Sequence, residues 1–232
     1  MPGNRHFATS PPRYFATSPP RYCATSPPCP MSDQTHHTYQ QIASDFAAAT
    51  QDRGPILADM ATFAAGLPAE SLVVDVGCGP GFDAEILREQ YGLRAVGLDY
   101  ARPMMLMGRE QYGVAVPFVQ ASMDQMPFAP GSLNGIWACA SLLHLPRADL
   151  PVVLSQFARL LKPNGRFYLS VKQGDSEGYN QHAYGQNAPR YFTYWQPETL
   201  DSLLNAAGFC SLLQKSSPAP KGPWLVRLLQ LC

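Results

Sequence analysis

The stretch VVDVGCGPGF, residues 73–82, sets a run of β-branched residues ending in one acid directly before three glycines separated by single residues. Leu72 to Val76 reads as a short buried strand, because it is apolar, rich in β-branched side chains and cut off by glycine. Gly77, Gly79 and Gly81 turn the chain sharply and let a ligand approach backbone where no Cβ stands in the way. Phe82 to Tyr91 then carries apolar residues at Phe82, Ala84, Ile86 and Leu87, with Gly92 as a stop, so the order is strand, glycine loop, helix. Such a junction suits a nucleotide-like ligand, because the first N–H groups of a helix lack intrahelical partners. An ordinary tight turn would look the same, so the next strand matters. LRAVGLDYA ends that strand at Asp99, about 20 residues beyond the loop, where this kind of fold places an acid on ribose hydroxyls.

The glycine spacing narrows the nucleoside. A dinucleotide fingerprint needs a third glycine or alanine three residues after the second, and counting from Gly77 that position is Phe82. The pattern here is D-x-G-x-G-x-G. It resembles the first motif of the class I S-adenosylmethionine-dependent methyltransferases, and further segments match that family in order. GLDYARPMM resembles the ribose acid and its apolar followers; SMDQMPF is similar to the segment written D-A-x-x-L-P-F; ACASLLHLPR is similar to the end of the fourth strand and its loop. RLLKPNGRFYLSVK resembles the L-K-P-G-G turn into strand five, and TYQQIASDFAAAT the entrance helix Y-D-x-x-A-x-x-Y. Within that family the closer resemblance is to the methyltransferase type 11-like domains of ubiquinone and menaquinone biosynthesis.

The resemblance implies S-adenosyl-L-methionine as cofactor. It places Asp75, Gly77, Cys78, Gly79 and Gly81 at the methionine end, and Asp99, Tyr100 and Met104 at the ribose. It sets Ser122 and Met123 at the adenine edge, Ala138 at the end of the fourth strand, and Tyr39 over the pocket. Ser122 stands where the family has an acid, Tyr100 where it has a small residue, Asn134 where an acid is common, and His144 is single where two histidines are frequent.

The remaining chain alternates strands and helices, which predicts a mostly parallel sheet covered on both faces. Strands are expected at Leu72 to Val76, Arg94 to Leu98, Val116 to Gln120, Leu133 to Ala138 and Arg166 to Val171, and helices at Phe82 to Tyr91, Arg102 to Gln111 and Asp149 to Leu161. QPETLDSLLNAAGF reads as a capped helix closing at Gly208, followed by strands at Phe209 to Gln214 and Trp224 to Leu231. The family resemblance adds that these last two form a hairpin. The expected fold is therefore α/β: a Rossmann-like seven-stranded, mostly parallel sheet, helices on both faces and a C-terminal antiparallel strand. Ligands bind outside the carboxyl ends of such strands, which gathers Gly77, Asp99, Ser122, the Ala138 to His144 segment and Lys172 on one edge.

Methyl transfer is an in-line displacement, so the protein must chiefly align the reactants and exclude water. A general base helps when the nucleophile arrives protonated; His144 is the candidate, although a histidine bracing the loop after strand four by hydrogen bonding is the reading the sequence favours. Gln173 to Trp195 is polar, aromatic and glycine-bearing, and is expected to be a long loop acting as a lid, or a solvated loop ending in an extra edge strand. Its His182, Arg190, Tyr191 and Tyr194, with Lys172, are the substrate-binding candidates. His36 and His37 have no metal-ligand spacing with any cysteine or acid, and no metal is assigned.

The first thirty residues differ from the rest: FATSPPRY recurs at Phe7 to Tyr14 and Phe15 to Tyr22, followed by CATSPPCP. Paired prolines without acids predict an extended, disordered head at 1–30, read as a translated repeat upstream of a start at Met31, a transit segment or a proline-rich docking arm. Residues 31–232 form the expected methyltransferase domain. The 232 residues carry 17 basic and 17 acidic side chains, and without Arg5, Arg13 and Arg21 14 bases remain against 17 acids. That balance argues against bulk nucleic-acid binding, no apolar run is long enough to cross a membrane, and the six cysteines lack C-x-x-C pairing. A reduced, cytoplasmic enzyme acting on a small-molecule methyl acceptor is expected; nothing in the sequence sets an oligomeric state. Three readings compete with it: a cofactor-binding regulatory or interaction domain without transferase activity; a nicotinamide oxidoreductase, which Phe82 opposes; and a nucleic-acid methyltransferase, which the lack of a basic, aromatic stripe and of an N-P-P-Y-type motif after strand four opposes.

Overall fold

A computed structural model describes residues 32–219 and 222–232; the repeat-bearing head lies outside them. Its centre is β1 (Leu72–Val76), buried along its whole length because both faces are covered. Gly77 to Gly81 turn the chain into α4 (Phe82–Tyr91), which begins on left-handed Gly81 and ends on left-handed Gly92. β2 (Arg94–Asp99), α5 (Arg102–Tyr112) and β3 (Phe118–Gln120) complete the first half. β4 (Leu133–Cys139), α6 (Leu150–Leu160) and β5 (Leu161–Lys172) open the second. α7 (Pro197–Ala206) leads through left-handed Gly208 into β8 (Phe209–Ser217) and β9 (Trp224–Leu231).

The seven strands stand in the order β3-β2-β1-β4-β5-β9-β8. β1 runs parallel to both β2 and β4, with Asp75 opposite Gly97 on one side and Trp137 on the other. β9 is antiparallel to β5 and to β8, so it is the strand of reversed direction the sequence led us to expect. The chain leaves β1 toward β2 and returns beyond it to β4, and that switch opens a crevice at the carboxyl ends. One face of the sheet packs on α6 and α7 through Val74, Ile136, Phe157, Phe167, Leu204 and Phe209. The opposite face packs through Met60, Phe63, Val73, Leu87, Trp137 and Tyr168 against α3 (Leu57–Ala64) and α4.

Three expectations need correction. Gln173 to Trp195 is no loop but a hairpin, β6 (Glu177–Ala183) and β7 (Gln186–Thr193), forming a two-stranded sheet of its own rather than an edge of the main one. Its two-residue turn has Tyr184 and Gly185 both at positive φ, the left-handed pair that matches strand twist in short hairpins. The third strand starts at Phe118 rather than Val116, because Pro117 has no N–H to give the ladder. The cysteines are not all reduced: Cys78 and Cys139 are free, but Cys210 and Cys232 form a disulfide. The β8–β9 register pairs Cys210 with Gln230, which sets Cys232 at the diagonal position, within bridging distance at a Cα separation of 5.6 Å.

Two helices cover the crevice. α1 (Ser32–Gln41) and α2 (Ala43–Thr50) meet at the bend around Ile42, and α1 is tied to the hairpin. Thr38 Oγ1 donates to the Pro189 carbonyl at 2.7 Å, and Tyr191 N–H donates to Thr35 Oγ1 at 3.0 Å. No helix among the described residues is long and apolar enough to cross a membrane.

Candidate functional site

A cavity of about 1080 Å³ occupies the crevice, roofed by α1 and the β6–β7 hairpin. Single-ligand pockets span about 300–1,000 Å³, so this one has room for a cofactor and a second molecule.

The glycine loop forms one wall. Gly77 and Cys78 donate their N–H groups to the Leu98 carbonyl at 2.8 and 3.0 Å, which ties the loop to the end of β2. A Cβ on Gly77 would lie 2.4 Å from Ser141 Cβ, and one on Gly79 would meet Phe46 at 3.3 Å and Met104 at 3.4 Å. The bare backbone is therefore used on both sides, by the protein and by the cavity. Asp99 closes the loop: its Oδ2 accepts from Gly79 N–H at 2.8 Å and its Oδ1 from Ala101 N–H at 2.7 Å. Burial raises its pKa above the usual carboxylate range, with those backbone donors acting against the shift. With Tyr100 as a third backbone donor, the carboxylate still has acceptor capacity for a hydroxyl in the cavity.

Asp75 is 2% exposed, and its Oδ2 has no hydrogen-bond partner although it lines the cavity. Burial, and then the neighbouring Asp83 carboxylate, push its pKa well above the ordinary value. Ser141 Oγ, also at the cavity, is likewise buried and unpaired. Two orphaned polar atoms beside a side-chain-free loop suit a ligand bearing an amine and a carboxylate, the polar groups of a methionine moiety.

A second cluster sits under the roof. His144, in the short 3₁₀ turn Leu142–His144, directs Nδ1 at the Tyr191 carbonyl at 2.6 Å and Nε2 at Tyr39 Oη at 2.7 Å. A carbonyl only accepts, so Nδ1 carries the proton, Nε2 is the acceptor and the Tyr39 hydroxyl donates. Burial lowers the His144 pKa to about 4 and raises that of Tyr39 to about 12, so both are neutral. Arg190 completes the cluster, with Nη1 3.4 Å from Tyr39 Oη.

The far end carries groups sequence reading missed. Arg53 pairs with Asp83 through Nε–Oδ1 at 2.5 Å and Nη2–Oδ2 at 2.8 Å, and Trp137 Nε1 donates to the same carboxylate at 2.8 Å. Asp59 accepts from Tyr168 Oη at 2.9 Å and from Lys215. Trp137 and Tyr168 stack, with centroids 3.7 Å apart. The sequence signal for Asp83 was its place directly after the glycine loop; Arg53 and Asp59 carried none. Burial pushes the Cys139 thiol up to about 12 and that of Cys78 upward too, which leaves neither as a thiolate.

Of the residues singled out from sequence, Tyr39, Asp75, Gly77, Cys78, Gly79, Asp99, Tyr100, Met104, Ser122, Met123, His144, Lys172, His182, Arg190 and Tyr194 line the cavity. Ser122 spends its hydroxyl on Asp124, and Lys172 lies apart from the His144 cluster, its ammonium 4.8 Å from the Trp224 ring centroid. Three do not line it. Gly81 is the left-handed cap of α4, where a Cβ would strike the Phe118 ring at 2.7 Å. Ala138 points into the core, and Ala140 and Ser141 take its place. Tyr191 contributes its carbonyl, while its ring packs on Tyr179 5.3 Å away. Among the described residues no group of three or more His, Cys, Asp or Glu could hold a metal ion.

Comparison with known proteins agrees with this geometry. A family described as a methyltransferase domain matches residues 73–165. The O-methyltransferase cnsE of Penicillium expansum is 27% identical over 173 residues, 68% of this chain and 60% of that protein. The tRNA (carboxymethyluridine(34)-5-O)-methyltransferase ALKBH8 of Mus musculus is 29% identical over 147 residues, 63% of this chain and 21% of that protein. The matches thus span less than two thirds of the length of these curated relatives. Among solved structures, the 1,6-didemethyltoxoflavin-N1-methyltransferase of Burkholderia thailandensis, with bound 1,6-didemethyltoxoflavin and S-adenosylhomocysteine, shares the fold. Its TM-score is 0.69 at 22% identity, over 89% of this chain and 92% of that one. With the matching motifs, the glycine cradle and the sheet order in agreement, residues 73–165 match a methyltransferase domain and the chain shares the fold of S-adenosylmethionine-dependent methyltransferases.

Proposed function

We propose that this chain transfers a methyl group from S-adenosylmethionine to a small-molecule nucleophile by in-line displacement. The observation that carries this is the unpaired buried oxygen of Asp75 beside the Gly77–Gly79 cradle, one strand away from Asp99. Asp75 would receive the methionine amine, and the glycine loop and Ser141 the methionine carboxylate. Asp99 would hold the ribose hydroxyls, and Met104, Ser122 and Met123 would border the adenosine. Bound S-adenosylmethionine supplies an electrophilic methyl on a sulfonium. The protein's own part is to place the acceptor in line and to keep water out, and orientation of this kind is worth about 7–11 kcal/mol in well-aligned systems. α1 and the hairpin, joined to each other over the crevice, supply the roof.

His144 serves as a brace in this reading, since both ring nitrogens are engaged. A regulatory domain that only holds the cofactor accounts less well for a cavity with space beyond one ligand. A small acceptor is favoured over a polynucleotide because the core beyond the head carries a slight excess of acid. The test is calorimetric titration of S-adenosylhomocysteine into wild type, Asp99→Ala and His144→Ala. Asp99→Ala is expected to weaken binding the more, by about tenfold or greater, since hydrogen bonds to a charged acceptor are each worth about 1.5–3 kcal/mol. Equal affinity of wild type and Asp99→Ala would refute the assignment.

A further inference from the structure

Arg190 projects from β7 into the cavity, and its surroundings are unusual for a cation. The guanidinium carbon lies 5.6 Å from the Tyr39 ring centroid, 5.7 Å from that of Tyr184 and 5.2 Å from that of Phe192. Its Nε is buried without a hydrogen-bond partner. Among the described residues no ion pair joins Arg190 to a carboxylate, whereas Arg53, Arg88 and Arg227 each have one. Three aromatic rings offset part of the desolvation of the guanidinium and Nη1 reaches Tyr39 Oη at 3.4 Å, but Nε is left without an acceptor. The cavity therefore holds a positive charge that lacks a counter-ion.

The same cluster offers no free base. His144 Nε2 is occupied by the Tyr39 hydroxyl and Nδ1 by the Tyr191 carbonyl. An acceptor held at Arg190 that must lose a proton finds neither ring nitrogen of the adjacent His144 free to take it. A carboxylic acid, ionised above a pH of about 4, arrives ready. We infer that the methyl acceptor is a carboxylate, received by the Arg190 guanidinium, with Phe46, Tyr184 and Phe192 taking its apolar part. This inference rests on the methyltransferase reading above. The carboxylate oxygen forms the new bond to the methyl carbon as the carbon–sulfur bond breaks and its electron pair stays on sulfur. A methyl ester and a neutral thioether result, and no proton moves.

The cofactor's own methionine carboxylate is the other source of the same chemistry, and the test separates the two. The full chain is first titrated with S-adenosylhomocysteine; no binding there would sink the methyltransferase reading itself. The loaded protein is then titrated with phenylacetate and octanoate and with their primary amides. At least one acid is expected to bind, its amide about tenfold or more weaker. Arg190→Gln should abolish that preference while leaving S-adenosylhomocysteine affinity within about threefold, and Arg190→Lys should restore part of it. The acid that binds should take label from tritiated S-adenosylmethionine into an alkali-labile, volatile product. The inference is overturned if neither acid binds, or if acid and amide bind alike. It is equally overturned if Arg190→Gln itself weakens S-adenosylhomocysteine binding about tenfold, which would make the cofactor's carboxylate the partner.

Discussion

Replacing Asp75 with Asn should stabilise the ligand-free protein and weaken its hold on the cofactor. Asp75 sits at the carboxyl end of β1, 2% exposed, with one oxygen unpaired and the Asp83 carboxylate nearby. An unsatisfied buried polar group costs about 1–3 kcal/mol, and more when charged. Asn keeps the shape and the Ala84 backbone contact while removing the charge. A gain of about 2 kcal/mol corresponds to a rise of about 4–8 °C in Tm for a domain of this size. Asp75 also fixes the pH dependence. An acid whose folded pKa lies above its unfolded value, about 3.9, stabilises the fold fully below that value and loses this contribution as pH rises through the folded pKa. The Tm advantage of Asp75→Asn should therefore grow from pH 4 toward neutrality. In the same samples, S-adenosylhomocysteine should bind the variant about tenfold or more weakly, because a charged acceptor for the amine is lost. Scanning calorimetry from pH 4 to 8 and isothermal titration read the two halves separately. An unchanged or lower Tm together with unchanged affinity would refute the reasoning.

Other perturbations have definite signs. His144 has its pKa lowered to about 4, so its neutral form contributes stability present above about pH 6.5 and lost as pH falls toward 4; His144→Gln should flatten the Tm–pH slope in that window. Gly77→Ala puts a Cβ 2.4 Å from Ser141 at a φ of +70°; it should destabilise the fold by about 1–3 kcal/mol and abolish S-adenosylhomocysteine binding in calorimetry. Arg53→Gln leaves a 7%-exposed Asp83 side chain without its ion-pair partner; urea unfolding should show a loss of about 3–5 kcal/mol, with a shift in Trp137 emission because Asp83 also holds that indole.

The sheet was legible because its signals are local. β1, α4 and β9 fall where Leu72, Phe82 and Trp224 begin their runs, since β-branched segments and glycine stops depend on near neighbours. The hairpin escaped because its turn is Tyr184-Gly185 rather than an Asn-Gly or Asp-Gly pair, and an aromatic residue at positive φ has no sequence signature. The cofactor wall was legible for a related reason: the loop and Asp99 are joined by a bond spanning 20 residues, within one strand-helix-strand unit. The rest of the site comes from contacts across the chain. Tyr39 meets His144 over 105 residues, Thr38 meets Pro189 over 151, and Lys215 reaches Asp59 over 156. Side chains brought together by tertiary packing leave no periodicity to read. The same is true of Cys210 and Cys232, whose meeting follows from the β8–β9 register rather than from a cysteine motif.

The central claim is that the crevice between the Gly77 loop and Asp99 is built for S-adenosylmethionine. Parallel calorimetric titrations of the full chain with S-adenosylmethionine, S-adenosylhomocysteine and NADH test it most directly. Saturable one-to-one binding of the first two and none of NADH is the expected result; binding of NADH alone, or of none of the three, would contradict it.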